Sequence, residues 1–438
     1  MSAKRILMGM MMCGAIAGTV LNATNGDAAG SNWKFTVDAA IEGGHPSVKA
    51  TAQHAESLVY TISKLTKATS RILETRILPA SDKAEISFPE VPIDTYVDLT
   101  VTTAPQPAAP PLFQWRTLLR PTGKTLMSYT GRAEMLPPGD FDAYWARAKK
   151  ELDAAPLTPV ISRVPDKDTS TGLLRRVELP AAGGTRIVCW YFVPRAALDA
   201  QGMAVKKCPA VIVMPGYGAE EPPLDRTTSG MITLSVNPRN HGPSRDFWKA
   251  PQEHLTYKIE DPENYYYRYA FLDGLRGAQF LFSRDEADAS RVGTEGGSQG
   301  GLFALAIAAL EPRIACVCSN VTAFTDYPDA LVLDLIGGVP GMGKIVRERS
   351  AKGAGARKSL SYTDGASMAT RVRCPVQINM GGIDPVCHFV CGIVAYNRLP
   401  KGVVRQFNLD PAARHEVPAT MRAANARWQE KWLFEKDK

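Results

Sequence analysis

Arg291-Val-Gly-Thr-Glu-Gly-Gly-Ser298-Gln-Gly-Gly301 is the stretch on which the fold of this 438-residue chain turns. Its first residues read as the end of a β-strand, and the apolar run Gln299 to Leu310 that follows reads as a helix. At the junction stands Gly-x-Ser-x-Gly, formed by Gly296, Gly297, Ser298, Gln299 and Gly300. A serine on so sharp a strand-to-helix turn is forced into a strained backbone conformation, and its oxygen is pushed out at the edge of the sheet. Side chains at the flanking positions would collide with the neighbouring strand and helix, which explains the glycines. The competing reading of the bare motif is a glycine-rich turn that cradles a phosphate. The strand, turn and helix context favours a nucleophile.

Outward from this turn, apolar runs alternate with helical patterns. Strands are expected at Ile187 to Val193, Ala210 to Met214, Ile232 to Val236, Val292 to Glu295, Ile314 to Cys318, Val376 to Met380 and Val403 to Leu409. Helices are expected at Tyr266 to Phe282, Gln299 to Leu310, Val386 to Leu399 and Ala419 to Phe434. Near-continuous apolar strands suit a parallel sheet covered on both faces, so the fold class is α/β. The layer opens on a helix in which Phe141, Tyr144, Trp145, Ala148 and Leu152 recur at helical spacing. Asp140 is placed to cap that helix by accepting the free N–H groups of its first turn.

Before residue 137 the period changes to two. Trp33, Phe35 and Val37, then Val97, Leu99 and Val101, alternate with polar residues. Shorter β-like runs lie at Leu58 to Ile62, Ile86 to Phe88 and Phe113 to Leu119, which together predict a small β-sandwich over residues 31–135. Pro105 to Pro111 reads as a loop inside it, and Pro137-Pro-Gly-Asp140 marks the boundary with a catalytic domain over 137–438. Residues 1–28 carry Lys4 and Arg5 before the uncharged run Ile6 to Leu21 and a small polar stretch, the pattern of a secretory signal peptide. That predicts a secreted or periplasmic protein without stable membrane insertion.

With 51 basic and 44 acidic residues the net charge is +7, scattered rather than striped, so nucleic acid is not the expected partner. Of eight cysteines, seven follow the leader, an odd number, and none shows C-x-x-C pairs at zinc spacing. No metal site and no certain disulfide are expected. Cys387 and Cys391, four apart on a helix, are placed to face each other.

A serine nucleophile needs a base and a carboxylate to orient it, and on this type of sheet they follow in the order serine, acid, histidine. His45, His54, His241 and His254 all precede Ser298, leaving His388 and His415. His415 lies in the loop after the last strand, and His388 on a helix near the site is its rival. Asp384, in Gly381-Gly-Ile-Asp-Pro385, follows the strand ending at Met380, at the sheet edge where ligands bind. Asp410 is the second candidate, close in sequence to His415. The oxyanion requires two backbone donors. Gln299, next after the nucleophile, supplies one, and Tyr217 in Met214-Pro-Gly-Tyr-Gly218 is assigned the other.

With these positions in place, residues 137 to 434 resemble the acetyl xylan esterase and cephalosporin C deacetylase family of α/β-hydrolases. Asp140-Phe-Asp-Ala-Tyr-Trp145 is similar to the family's opening helix, and Pro215-Gly-Tyr-Gly218 to its oxyanion loop. Asn264-Tyr-Tyr-Tyr-Arg268 with Asp273 and Arg276 resembles the segment before the nucleophile. Gly296-Gly-Ser-Gln-Gly-Gly301, Gly381-Gly-Ile-Asp384, Cys387, Ala395-Tyr-Asn397 and His415-Glu416 match in order. The resemblance implies an α/β-hydrolase fold and removal of acetyl groups from xylo-oligosaccharides and related sugars without a cofactor. It also implies that Ser298 attacks, His415 carries the proton, Asp384 orients the imidazole, and the Tyr217 and Gln299 amides hold the oxyanion. A homo-oligomer is among the implied partners, although the N-terminal β-domain is absent from shorter members that form rings. Departures lie at Pro215, at Asn237-Pro-Arg-Asn-His-Gly242 and at His388-Phe-Val-Cys391, around the acyl pocket. The alternative readings are another ester hydrolase or peptidase on this scaffold, or a noncatalytic glycan-binding protein.

Overall fold

A computed structural model describes residues 137–332 and 351–435, the segment 129–131, and eight strands between residues 21 and 118. The expected Pro105 to Pro111 loop lies outside the described residues, as does the expected leader apart from Leu21–Ala23. The chain divides into two compact units, Met1–Lys64 with Ile72–Ser128, and Tyr129–Lys438 with Leu65–Arg71.

The first unit carries β1 (Leu21–Ala23), β2 (Lys34–Glu42), β3 (His45–His54), β4 (Leu58–Leu65), β5 (Ser70–Leu78), β6 (Ser81–Phe88), β7 (Tyr96–Thr103) and β8 (Phe113–Leu118). They form two four-stranded sheets, in the orders β1-β2-β3-β6 and β5-β4-β7-β8. The period of two has its physical counterpart in the antiparallel pair β4 and β7. Tyr60 pairs with Val101 and Ile62 with Leu99, Leu58 and Val97 stand opposite Thr103 and Lys64, and the six apolar residues are all buried. Strand β1 falls inside the expected leader and pairs with β2, a pairing that cleavage would remove.

The second unit is built on a nine-stranded sheet. Its strands are β9 (Val160–Arg163), β10 (Gly172–Ala181), β11 (Thr185–Pro194), β12 (Cys208–Met214), β13 (Ile232–Asn237), β14 (Ala287–Gly297), β15 (Cys316–Asn320), β16 (Val376–Gly381) and β17 (Arg405–Asp410). The order is β17-β16-β15-β14-β12-β13-β11-β10-β9, and β12 to β17 pair in parallel. This is the α/β-hydrolase arrangement expected of the sequence. Strands β9 and β10 carry no continuous apolar run, because they belong to the antiparallel end. There β10 alternates buried with half-buried residues, and Arg176 pairs with Glu178 on its wetter face.

The helices are α1 (Phe141–Asp153), α2 (Tyr266–Phe282), α3 (Gln299–Leu310), α4 (Tyr327–Val332), α5 (Ala351–Thr363), α6 (Gly365–Ala369), α7 (Phe389–Arg398) and α8 (Ala419–Gln429), with α8 running into a π-turn at Glu430–Phe434. Helix α3 is apolar on every side and is accordingly buried on every side, with Leu302, Phe303, Leu305 and Ile307 almost inaccessible. Helix α1 buries Phe141, Tyr144, Trp145, Ala148 and Leu152, the stripe expected from spacing. Asp140 does not cap it. Its carboxylate instead accepts a 2.6 Å hydrogen bond from the Tyr362 hydroxyl, whose ring stacks 3.9 Å from that of Tyr144. A phenol brought in by tertiary packing outcompeted the local N–H groups.

Candidate active site

The turn from β14 into α3 holds Ser298 at φ 58° and ψ −121°, backbone values that L residues rarely occupy. Two glycines make it possible. A Cβ on Gly296 would stand 2.3 Å from the Gly300 carbonyl group, and one on Gly300 would stand 2.2 Å from the Met214 carbonyl oxygen. The Ser298 N–H donates to the Asn320 carbonyl at 2.8 Å, tying the elbow to the end of β15.

Three strand ends then bring the candidate side chains together. His415, in the loop after β17, places Nε2 3.1 Å from Ser298 Oγ. Its Nδ1 lies 2.8 Å from Asp384 Oδ2, in the turn after β16. The other Asp384 oxygen accepts the N–H groups of Val386 at 2.7 Å and Cys387 at 2.9 Å. An ionised carboxylate only accepts, so His415 Nδ1 carries the proton and Nε2 is left to accept from the serine hydroxyl. Asp384 is sealed from solvent while the His415 imidazole is 27% exposed, so of the two only the histidine reaches the surface. His388 instead sits at the N-cap of α7, and Asp410 accepts from Thr420 Oγ1 at 2.8 Å. Neither joins the relay.

Tyr217 and Gln299 flank the serine from opposite elements, the loop after β12 and the first turn of α3. Among the described residues neither backbone N–H donates to a protein acceptor. The Tyr217 ring stacks on His254 at 4.4 Å, and its hydroxyl donates to Glu253. The Gln299 side chain is anchored beneath: it accepts from Tyr267 Oη at 2.6 Å and donates to His241 Nε2 at 2.9 Å and to the Gly216 carbonyl at 3.4 Å. One amide thus couples the start of α3 to the loop carrying Tyr217. Burial holds both His241 and His254 down to about 4, so both imidazoles are neutral at neutral pH.

A second amide network lies below the relay. Asn408 donates to Asn379 at 2.7 Å, Asn379 donates to Asn320 at 2.7 Å, and Asn320 donates to the Gly296 carbonyl at 3.2 Å. Asn379 gives its other proton to Asn425 at 2.8 Å. The chain of amides therefore runs under β17, β16, β15 and β14, the strands whose ends carry the candidate residues.

His241, Gln299's side chain and the asparagines escaped sequence reasoning for a common reason. They serve through partners far away in the chain. The segment Asn237 to Gly242 stood out, but nothing in its spacing announced that His241 would meet Gln299. Cys387 and Cys391 do not form a disulfide, and the described cysteines are all buried thiols. Burial pushes the Cys387 thiol well up, with Asp384 adding to the shift and a hydrogen bond with Ser298 opposing it. Among the described residues no helix is long and apolar enough to cross a membrane.

A family model described as acetyl xylan esterase matches residues 123–432. The acetyl esterase Axe7A of Xylanibacter ruminicola is 26% identical over 277 residues, which are 59% of this chain and 60% of that protein. The chain thus spans about 60% of the length of this curated relative. The acetyl xylan esterase from Paenibacillus sp. R4 superposes with a TM-score of 0.63 at 26% identity, over 70% of this chain and 98% of the other. Acetyl xylan esterase 1 from Thermoanaerobacterium sp. JW/SL YS485 has the same fold, with a TM-score of 0.63 at 24% identity over 70% and 97% of the two chains.

Proposed function

This chain belongs to the acetyl xylan esterase family, whose members are carboxylic ester hydrolases, and from that premise we propose that it removes acetyl groups from xylo-oligosaccharides or related acetylated carbohydrates. The chemistry is acyl transfer to Ser298. His415 Nε2 takes the hydroxyl proton as the oxygen attacks the acetyl carbonyl, and Asp384 holds the resulting imidazolium in place. The tetrahedral oxyanion forms between the Tyr217 and Gln299 amides. Their freedom from protein acceptors favours a site that waits for a transient charge rather than a ground-state group. His415 then returns its proton to the leaving sugar oxygen. Water, deprotonated by the same imidazole, attacks the acetyl-serine and releases acetate.

The observation that carries the proposal is the continuous relay from Ser298 Oγ through His415 to a sealed Asp384, at 3.1 Å and 2.8 Å. Export is part of it, supported by the charged and then apolar pattern of residues 1–28. The test is acetate release from acetylated xylan and acetylated xylo-oligosaccharides by wild type beside Ser298→Ala. Release by wild type alone is expected. If wild type cleaves only a short nitrophenyl ester, the serine chemistry stands and the sugar assignment falls. If folded wild type cleaves neither, the whole reading falls.

A further inference from the structure

Cys387 brings a soft sulfur donor to the relay that acyl transfer does not use. Its amide donates to Asp384 at 2.9 Å, which sets its thiol among the relay side chains. One donor atom each from Asp384, Cys387 and His415 lie within 4.8 Å of one another. A thiol sulfur, an imidazole nitrogen and a carboxylate oxygen are the donor set that selects zinc-like cations over magnesium or calcium, which prefer oxygen alone. Around a tetrahedral ion with bonds of about 2.0 to 2.3 Å, neighbouring donors stand roughly 3.3 to 3.8 Å apart, so closure of a pair from 4.8 Å requires a shift of about 1 to 1.5 Å.

The geometry points to a regulatory metal site superposed on the relay: Asp384, Cys387 and His415 bind a thiophilic divalent cation, and its binding switches the esterase off. The cation enters as the thiol releases its proton to solvent. Whichever imidazole nitrogen it takes, it displaces a relay hydrogen bond, that of Nδ1 with Asp384 or that of Nε2 with Ser298. Either loss removes the base. The side-chain exposure of His415, 27%, provides the way in, and the remaining coordination position falls to water or to Ser298 Oγ. This inference rests on the acyl-transfer reading only for its effect on turnover, not for the binding itself.

The experiment uses the whole protein with two probes. Zn²⁺ is titrated against hydrolysis of a nitrophenyl acetate, with Mg²⁺ as control and a chelator for reversal, in wild type, Cys387→Ser and Cys387→Ala. Each rate is referred to that protein's own metal-free rate. Inhibition of wild type at micromolar Zn²⁺, weakened at least about tenfold in both variants, is expected. In parallel, Cd²⁺ binding is followed through its ultraviolet thiolate charge-transfer band, which Ser298→Ala must retain and Cys387→Ser must lose in part. Zn²⁺-insensitive wild type, equally sensitive Cys387 variants, or identical Cd²⁺ spectra for wild type and Cys387→Ser would each overturn the proposal. If wild type hydrolyses no ester, the acyl-transfer reading fails, and the Cd²⁺ spectra still decide whether the site exists.

Discussion

His241 offers the sharpest test of how the site is held together. It is inaccessible to solvent, its Nδ1 lies 3.2 Å from the Arg239 carbonyl, and its Nε2 accepts from Gln299 at 2.9 Å. Protonation would turn that acceptor into a donor facing another donor. Burial therefore holds its folded value down to about 4 against 6.5 for a free histidine. Because the folded value is depressed, the unfolded chain binds the extra proton first, and stability falls as pH drops from about 6.5 to about 4. The slope is about 1.4 kcal/mol per pH unit for each such histidine, and the window sums to about 3 kcal/mol for His241. His241→Gln keeps an acceptor for Gln299 and removes the titration. Urea unfolding of both proteins, followed by tryptophan fluorescence at steps between pH 7 and about 4, measures the difference directly. Titrating groups remote from His241 cancel in the comparison, and His254, 5.4 Å away, is the neighbour that titrates with it. The variant is expected to lose about 3 kcal/mol less than wild type across the window. Parallel curves for the two proteins would refute the argument. His241→Leu, which leaves the buried Gln299 N–H unsatisfied, is expected to cost about 1 to 3 kcal/mol even at neutral pH.

Four further outcomes follow from the geometry. Glu221 is raised to about 7 by burial, with Glu295 adding to the shift; because its folded value lies above the usual 4.5, stability falls as pH rises from about 4.5 through 7, and Glu221→Gln should unfold at higher urea than wild type above that window. Gly296→Ala places a methyl 2.3 Å from the Gly300 backbone and is expected to destabilise by at least about 1 to 3 kcal/mol and to abolish turnover, read by thermal unfolding and acetate release. Asn379→Leu breaks the amide chain at its centre and should lower kcat by about tenfold or more while leaving KM nearly unchanged, because the strand ends shift without touching the substrate pocket. Tyr217→Phe should leave kcat within about threefold, since the assigned donor is the main chain; a loss of about a hundredfold would show that the hydroxyl, not the amide, does the chemistry.

Much of the sheet was legible because its strands are largely apolar and are closed by proline or glycine, as Ala210 to Met214 is by Pro215-Gly216 and Val376 to Met380 is by Gly381-Gly382. Helix α2 was legible to its terminal residues, since Tyr266 to Phe282 holds no proline and is packed with apolar side chains. What escaped was amphipathic or distant. Strand β10 alternates with arginines and a glutamate, and α5 mixes serine and glycine with its few apolar residues, so neither announces itself by hydrophobic period. The Asp140 cap was a correct local rule that lost to Tyr362, more than two hundred residues away.

Local sequence alone determined the elbow: only glycines permit the backbone that Ser298 adopts, and chain order alone narrowed the histidines to two and favoured Asp384 among the acids. Tertiary structure favoured His415 over His388, because the loop after β17 returns to the serine while His388 stands at the start of a helix. It alone joined Gln299 to His241 and Gly216, and brought Cys387 beside the relay. The reason is geometric. Backbone strain and hydrophobic period are written in neighbouring residues, whereas hydrogen bonds between strand ends exist only once a parallel sheet has set the register of segments a hundred residues apart.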